Sequence, residues 1–287
     1  MRAIDSGVAL AEQLNKQLVV YWGRDQWLNC GYADLFKPSP DFEVMEEKQW
    51  AGKKSLFPYL PGSKPTSFSK KSLYALTKTA LDIVSEIWYE DIEDAVAQLD
   101  TIVQPENIKN MQEYEPRSVT CINPLLEILH TKGSSFVCSA WKLFPGQNYA
   151  QHFIPIDPIL SQVDKLSRHF GNTIGVHIRR TDHTIAITHS PLQKFIAAMD
   201  HEVAEKNANF FLATDCKATE EELLKKYSNR IVAFQKSNYS RNSVQGIQEA
   251  LIDLYCLSKT DKVLGSYYSS FSQVAAEISG IEEVTIH

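Results

Sequence analysis

From Thr173 onward, short apolar runs alternate with amphipathic stretches, and this alternation constrains the fold more than any other feature. The runs T-I-G-V-H-I-R (173–179), N-F-F-L-A-T (209–214), R-I-V-A-F (230–234) and K-V-L-G (262–265) are rich in β-branched and aromatic residues. Each is too short for a stable helix, so they predict buried strands. Between them, helical spacing predicts a helix with Ser190 as N-cap and Pro191 at its first position, helices over 218–227 and 243–258, and a last one from about Ser269. Strand–helix alternation of this kind predicts a parallel sheet with right-handed crossovers, a Rossmann-like α/β domain.

The first half is less regular. Val8, Ala11 and Leu14 sit at helical spacing and lead into the short strand Q-L-V-V-Y-W. A helix before any strand is unusual for an α/β domain, so a preceding strand and loop are expected to be missing. Residues 23–70 are rich in Pro, Gly, Ser and aromatics and read as a long surface excursion. From Lys71 to Asp100 the apolar spacing permits one or two helices, and Ser134–Phe144 reads as a strand ending at Pro145-Gly146. The prolines of H-F-I-P-I-D-P suggest a boundary near residue 154, giving one domain over 1–154 and a second over 155–287.

In open α/β sheets, ligands collect beyond the carboxyl ends of the strands. There the first strand of the second half delivers Arg179, Arg180, Thr181 and Asp182, and the next delivers Thr214, Asp215 and Cys216. The last delivers G-S-Y-Y-S-S-F-S, where small hydroxyl residues open a helix. Side chains alternate along a strand, so His177 and Arg179 share one face and Arg180 takes the other. Adjacent cations facing helix N–H groups and hydroxyls make a diphosphate site. Each piece has a plainer reading: an ion-paired arginine doublet, Asp182 and Asp215 as caps, serines as N-caps, His177 as a core histidine. In helix 243–258, Glu249 and Asp253 share a face that could simply be solvated.

The net charge of −6 argues against nucleic acid as the main partner, so any anion site is local. No run of about 18 apolar residues suggests a membrane span. Five scattered cysteines without a C-x-x-C pair favour reduced thiols in the cytoplasm. His177, His183 and His189 match no helical metal-ligand pattern, and no metal is expected.

H-I-R-R-T-D (177–182), F-L-A-T-D (211–215), I-D-L-Y-C-L-S-K-T-D (252–261) and S-S-F-S (269–272) occur in this order in a glycosyltransferase superfamily. The sequence resembles its members, which include α1,6-fucosyltransferases, bacterial nodulation fucosyltransferases and protein O-fucosyltransferases. The resemblance implies a GT-B architecture, with two Rossmann-like domains facing across a cleft. It also implies GDP-fucose as donor and inverting transfer, without metal or other cofactor, to a glycan, lipid-linked or peptide hydroxyl. On this resemblance Arg179 meets the β-phosphate, His177 and Asp253 contact the nucleotide, and Ser269, Ser270 and Phe271 hold the phosphates and nearby groups. Arg180, Thr214, Asp215 and Ser272 complete the expected donor site, and Arg179 and Asp182 are the expected catalytic pair. The family's Gly-rich loop would fall just before Arg2. The α1,6-fucosyltransferase glutamate that acts as base corresponds to Ile187, leaving Asp182, His183, His189 or a first-domain carboxylate such as Asp5. Two alternatives stand beside this reading: a different nucleotide sugar, or nucleotide binding without transfer.

Overall fold

The computed structural model describes residues 1–24, 28–46, 63–102, 111–146, 148–181, 184–240 and 242–287. The chain divides into two compact units. The first contains Met1–Gly23 and most described residues from Pro38 to Asn148; the second contains Arg24–Lys37 and Tyr149–His287.

In the first unit, helix Arg2–Gln13 precedes β1 (Val19–Trp22), which pairs in parallel with β2 (Glu43–Glu46). A second parallel pair joins β3 (Ile83–Ile87) to β4 (Ser134–Val137). Two helices lie in this stretch, as the spacing from Lys71 to Asp100 permits, but Ile83 and Ile87, counted in that helical spacing, belong to β3 between them. Helix Phe68–Ala80 stops, Asp82 takes a positive φ of 50°, and the chain re-emerges extended before helix Tyr89–Ile102. Ile83, Ser85 and Ile87 are the buried face of that strand. Trp88 then packs edge-on against Tyr74 and Phe136, tying helix, strand end and β4 together.

The second unit carries a five-stranded, wholly parallel sheet in the order β7-β6-β5-β8-β9. Its strands are β5 (Thr173–Ile178), β6 (Asn209–Thr214), β7 (Ile231–Ala233), β8 (Lys262–Ser266) and β9 (Glu282–Ile286). The apolar runs thus fall where the sequence reading put them, and β9 is an additional edge strand. Every residue of β5 is buried, as a central strand covered on both faces requires.

The two faces of β5 do different work. Ile174, Val176 and Ile178 join Phe195, Met199, Leu223 and Tyr227 in a core beneath helices Leu192–Lys206 and Lys217–Tyr227. Gly175 lies on the other face, where an added Cβ would come 2.8 Å from Thr260 Oγ1 and 2.9 Å from Leu257 Cδ2. Only glycine lets the end of helix Val244–Leu257 approach the strand so closely.

Ser190 departs from its expected role. Rather than capping helix Leu192–Lys206, its hydroxyl accepts from Tyr267 N–H at 2.7 Å and donates to the Ile286 carbonyl. It joins the loop after β8 to β9, which outweighs a local cap because both partners are buried backbone groups.

The segment 24–37, read as part of a surface excursion, belongs to the second unit. Phe36 bridges Pro155, Lys37 N–H donates to Ile154 O at 2.8 Å, and Gln248 Nε2 donates to Asp34 O at 2.7 Å.

Candidate functional site

Strand order reverses at β5: the chain moves outward to β6 and β7, then returns to the other side of β5 with β8 and β9. The carboxyl ends of β5 and β8 therefore form the switch point at which doubly wound sheets bind ligands. Arg179 and Arg180 follow the end of β5, and Thr214 and Asp215 lie at the end of β6.

Asp215, just past the end of β6, organises the turn after β5. Its Oδ1 accepts Arg180 N–H at 2.7 Å, and its Oδ2 accepts Thr181 Oγ1 at 2.7 Å and Thr181 N–H at 3.4 Å. The same Oδ2 lies 3.4 Å from Arg179 Nε. From the opposite side, Ser266 Oγ accepts Arg179 N–H at 2.9 Å and donates to His177 O at 3.3 Å. The two-arginine turn is thus fastened from β6 and from β8. Arg179 has one anionic partner already, whereas Nη2 of the half-buried Arg180 is buried with no hydrogen-bond partner among the described residues. Burial pulls the Arg180 guanidinium below its ordinary range while Cys216 and Asp215 oppose the shift.

His177 is buried on the Gly175 face and stacks on Phe271, with ring centroids 4.7 Å apart and planes 27° from parallel. Desolvation, aided by the Arg179 charge, lowers its pKa to about 3, so the imidazole is neutral at physiological pH. Its Nδ1 is buried and unpartnered among the described residues.

Phe271 sits in the first turn of helix Ser270–Ser279. Ser269 occupies the N-cap position but makes no side-chain cap bond, so the leading N–H groups of this helix lack that partner. Tyr268, just before it, holds a left-handed backbone at φ 57°. Ser272 behaves differently from its neighbours: its hydroxyl is fully buried and donates to Ser269 O at 3.2 Å. What it can offer a ligand is its backbone, not its side chain. Gly265 makes room for it, since an added Cβ would lie 2.7 Å from Ser272 Cβ and 2.5 Å from Glu283 Oε1.

Behind these groups lies a buried ion pair that sequence reasoning missed. Lys236 Nζ meets Asp253 Oδ2 at 2.6 Å and donates to the Thr214 carbonyl at 2.8 Å. Burial pushes Asp253 up to about 7, while Lys236 pulls it down. Glu249, expected to share a face with Asp253, is buried as well, and it accepts the N–H groups of Ser237 and Asn238, each at 3.0 Å. The pairing of both acids contradicts the solvated-face alternative. Lys236 carried no local signal, and Ser266 stood inside the G-S-Y-Y-S-S-F-S motif without a feature to single it out.

Asp182 and His183 lie outside the described residues. His189 is exposed, its ring tilted against Tyr267 at 4.8 Å. Asp5, in the first unit, is buried and accepts Asn148 N–H at 2.9 Å. Ile187, half-buried in helix Thr184–His189, offers no carboxylate. Among the described residues no group of three or more His, Cys, Asp or Glu side chains could hold a metal, and no helix is long and apolar enough to cross a membrane.

No family profile and no curated protein matches the sequence. Solved structures do match. Fucosyltransferase NodZ from Bradyrhizobium aligns at TM-score 0.56 and 17% identity over 95% of this chain and 86% of its own. NodZ α-1,6-fucosyltransferase soaked with GDP-fucose aligns at 0.57 and 17%, over 96% and 86%. POFUT1 in its apo form aligns at 0.53 and 14%, over 99% and 93%. At such identities the likeness speaks for architecture: the chain has the α/β, GT-B-like fold of these fucosyltransferases.

Proposed function

We propose that the protein is a glycosyltransferase that moves fucose from GDP-fucose to a hydroxyl acceptor, with inversion and without a metal. The observation that carries this reading is the stack of His177, in β5, on Phe271, in the first turn of helix Ser270–Ser279, which brings that helix start to the strand that ends in Arg179 and Arg180. A departing diphosphate needs charge neutralisation and several donors at once, and this edge supplies both. The motif resemblance and the GDP and GDP-fucose complexes of the structural neighbours point the same way.

In the proposed reaction the acceptor oxygen attacks the anomeric carbon as the bond from that carbon to the β-phosphate oxygen breaks. The bonding electrons stay with GDP, whose growing charge is met by Arg179, Arg180 and the N–H groups of Ser270–Ser272. Neutral His177 and Phe271 form an aromatic wall beside the nucleotide, and Asp253 contacts it. Asp182, two residues beyond Arg180, is the candidate acceptor for the hydroxyl proton. Among the described residues no two cysteines are joined by a disulfide, which suits a reducing cytoplasm.

The test is incubation with labelled GDP-fucose and a panel of glycan, lipid-linked and peptide acceptors in EDTA. Transfer supports the reading. The absence of a carboxylate at Ile187 favours a second reading, nucleotide binding without transfer. GDP binding with neither transfer nor hydrolysis would select it.

A further inference from the structure

Lys236 lies in the loop after β7, in the stretch Q-K-S-N-Y. Its side chain is 6% exposed, and Nζ is surrounded by Asp253 Oδ2, the Thr214 carbonyl and the Tyr239 ring, whose centroid is 5.3 Å away. An ammonium has no acceptor and only a few donors, and here they are directed at protein partners. Its effect on a ligand must therefore pass through those partners.

Each partner matters to the site. Thr214 closes β6 directly before Asp215, which fastens the arginine turn. Asp253 is 3% exposed, and its second oxygen, Oδ1, is buried without a hydrogen-bond partner among the described residues. An acceptor in that position is costly unless a donor arrives. A lysine gripping only the twin oxygen draws Asp253 toward its charged form and leaves the other oxygen without a donor among the described residues.

We propose that Lys236 is a positioning residue of the nucleotide site, holding Asp253 by Oδ2 and the end of β6 by Thr214 so that Asp253 Oδ1 remains an anionic acceptor for an N–H donor of the nucleotide. The inference rests on the nucleotide-binding reading above. The groups facing Asp253 are Lys236 and Tyr239 from the loop, Glu220 from helix Lys217–Tyr227, and Glu249 and Cys256 from its own helix. Burial and the two glutamates favour the protonated acid; Lys236 alone among them opposes it. Removing the lysine therefore carries Asp253 into its neutral form above neutrality.

The experiment uses the full chain and GDP as probe, titrated calorimetrically from pH 6 to 9. It compares the wild type with Lys236→Met, Lys236→Arg and the neutral pair Lys236→Met/Asp253→Asn, each checked by thermal melting. Lys236→Met is expected to lose at least tenfold in GDP affinity at pH 7.5 and to regain part of it by pH 9. Lys236→Arg keeps the charge and most of the affinity. The neutral pair, which leaves no buried charge unpaired, provides the readout if Lys236→Met does not fold. It is expected to bind at least tenfold more weakly than wild type, with no midpoint between pH 6 and 9. Wild-type affinity and pH profile in Lys236→Met, or wild-type affinity in the neutral pair, overturns the inference alone. A wild type that ignores GDP at every pH overturns the nucleotide reading, and the inference with it.

Discussion

Asp215 Oδ1 receives the main-chain N–H of Arg180 at 2.7 Å, so the acidic residue after β6 sets the backbone of the basic turn after β5. Its other oxygen holds Thr181 and stands beside Arg179. The aspartate is therefore a fastening for the cations and only secondarily a charge against them.

Replacing Asp215 with Ala removes the acceptor for two N–H groups and a hydroxyl. The loss is expected to cost about 1–3 kcal/mol of stability. GDP affinity should fall more than tenfold, although the mutation raises the net positive charge of the site. Calorimetric titration checks the second point. Tighter GDP binding would mean that charge outweighs the held geometry.

Gly265 allows β8 and helix Ser270–Ser279 to meet, with Ser272 and Glu283 crowded against its Cα. Gly265→Ala overpacks that contact and should destabilise the protein by about 1–3 kcal/mol in urea denaturation. Because Ser272 lies in the helix's first turn, GDP affinity should fall with it. An Ala variant of wild-type stability would show that the contact relaxes freely.

Glu283 provides a pH test whose sign is fixed. Burial raises its pKa from 4.5 to about 7, with Glu277 adding to the shift. Between these values the folded protein binds more protons than the unfolded chain, so this group's contribution to stability is full at low pH and lost as pH rises through 7. Glu283→Gln removes that loss. Its melting temperature relative to wild type should therefore climb from pH 4.5 to 7 and then level off. A flat difference would contradict the buried-acid description.

His177 acts in the opposite direction. Its pKa falls from 6.5 to about 3, so the unfolded chain binds the proton first and stability is lost as pH drops below 6.5. His177→Phe should lessen the acid sensitivity of melting between pH 6.5 and 4 while preserving the stack on Phe271. Unchanged acid sensitivity would indicate that another group dominates that range.

Much of the second unit was legible because its strands are short apolar runs between turn residues and its helices have clear periods. β3 was not, since I-V-S-E-I also fits a helical period and flanking helices masked it. Ser190 has the chemistry of an N-cap, and only the tertiary position of Tyr267 and Ile286 redirects it. The arginine turn and the serine-rich helix start were readable because each is local and both lie at strand ends. Lys236 was not, for its partners are the end of another strand and a helix residue far along the chain.

The central claim is that the β5–β8 edge binds a diphosphate nucleotide through its arginines. Its most direct test is calorimetric titration of GDP into wild type and Arg179→Ala in EDTA, with UDP and ADP as comparisons. The account predicts GDP binding by the wild type without metal, weaker binding of the other two, and a loss of at least a hundredfold in the alanine variant. Equal affinity of wild type and variant, or indifference to every nucleotide, would contradict it.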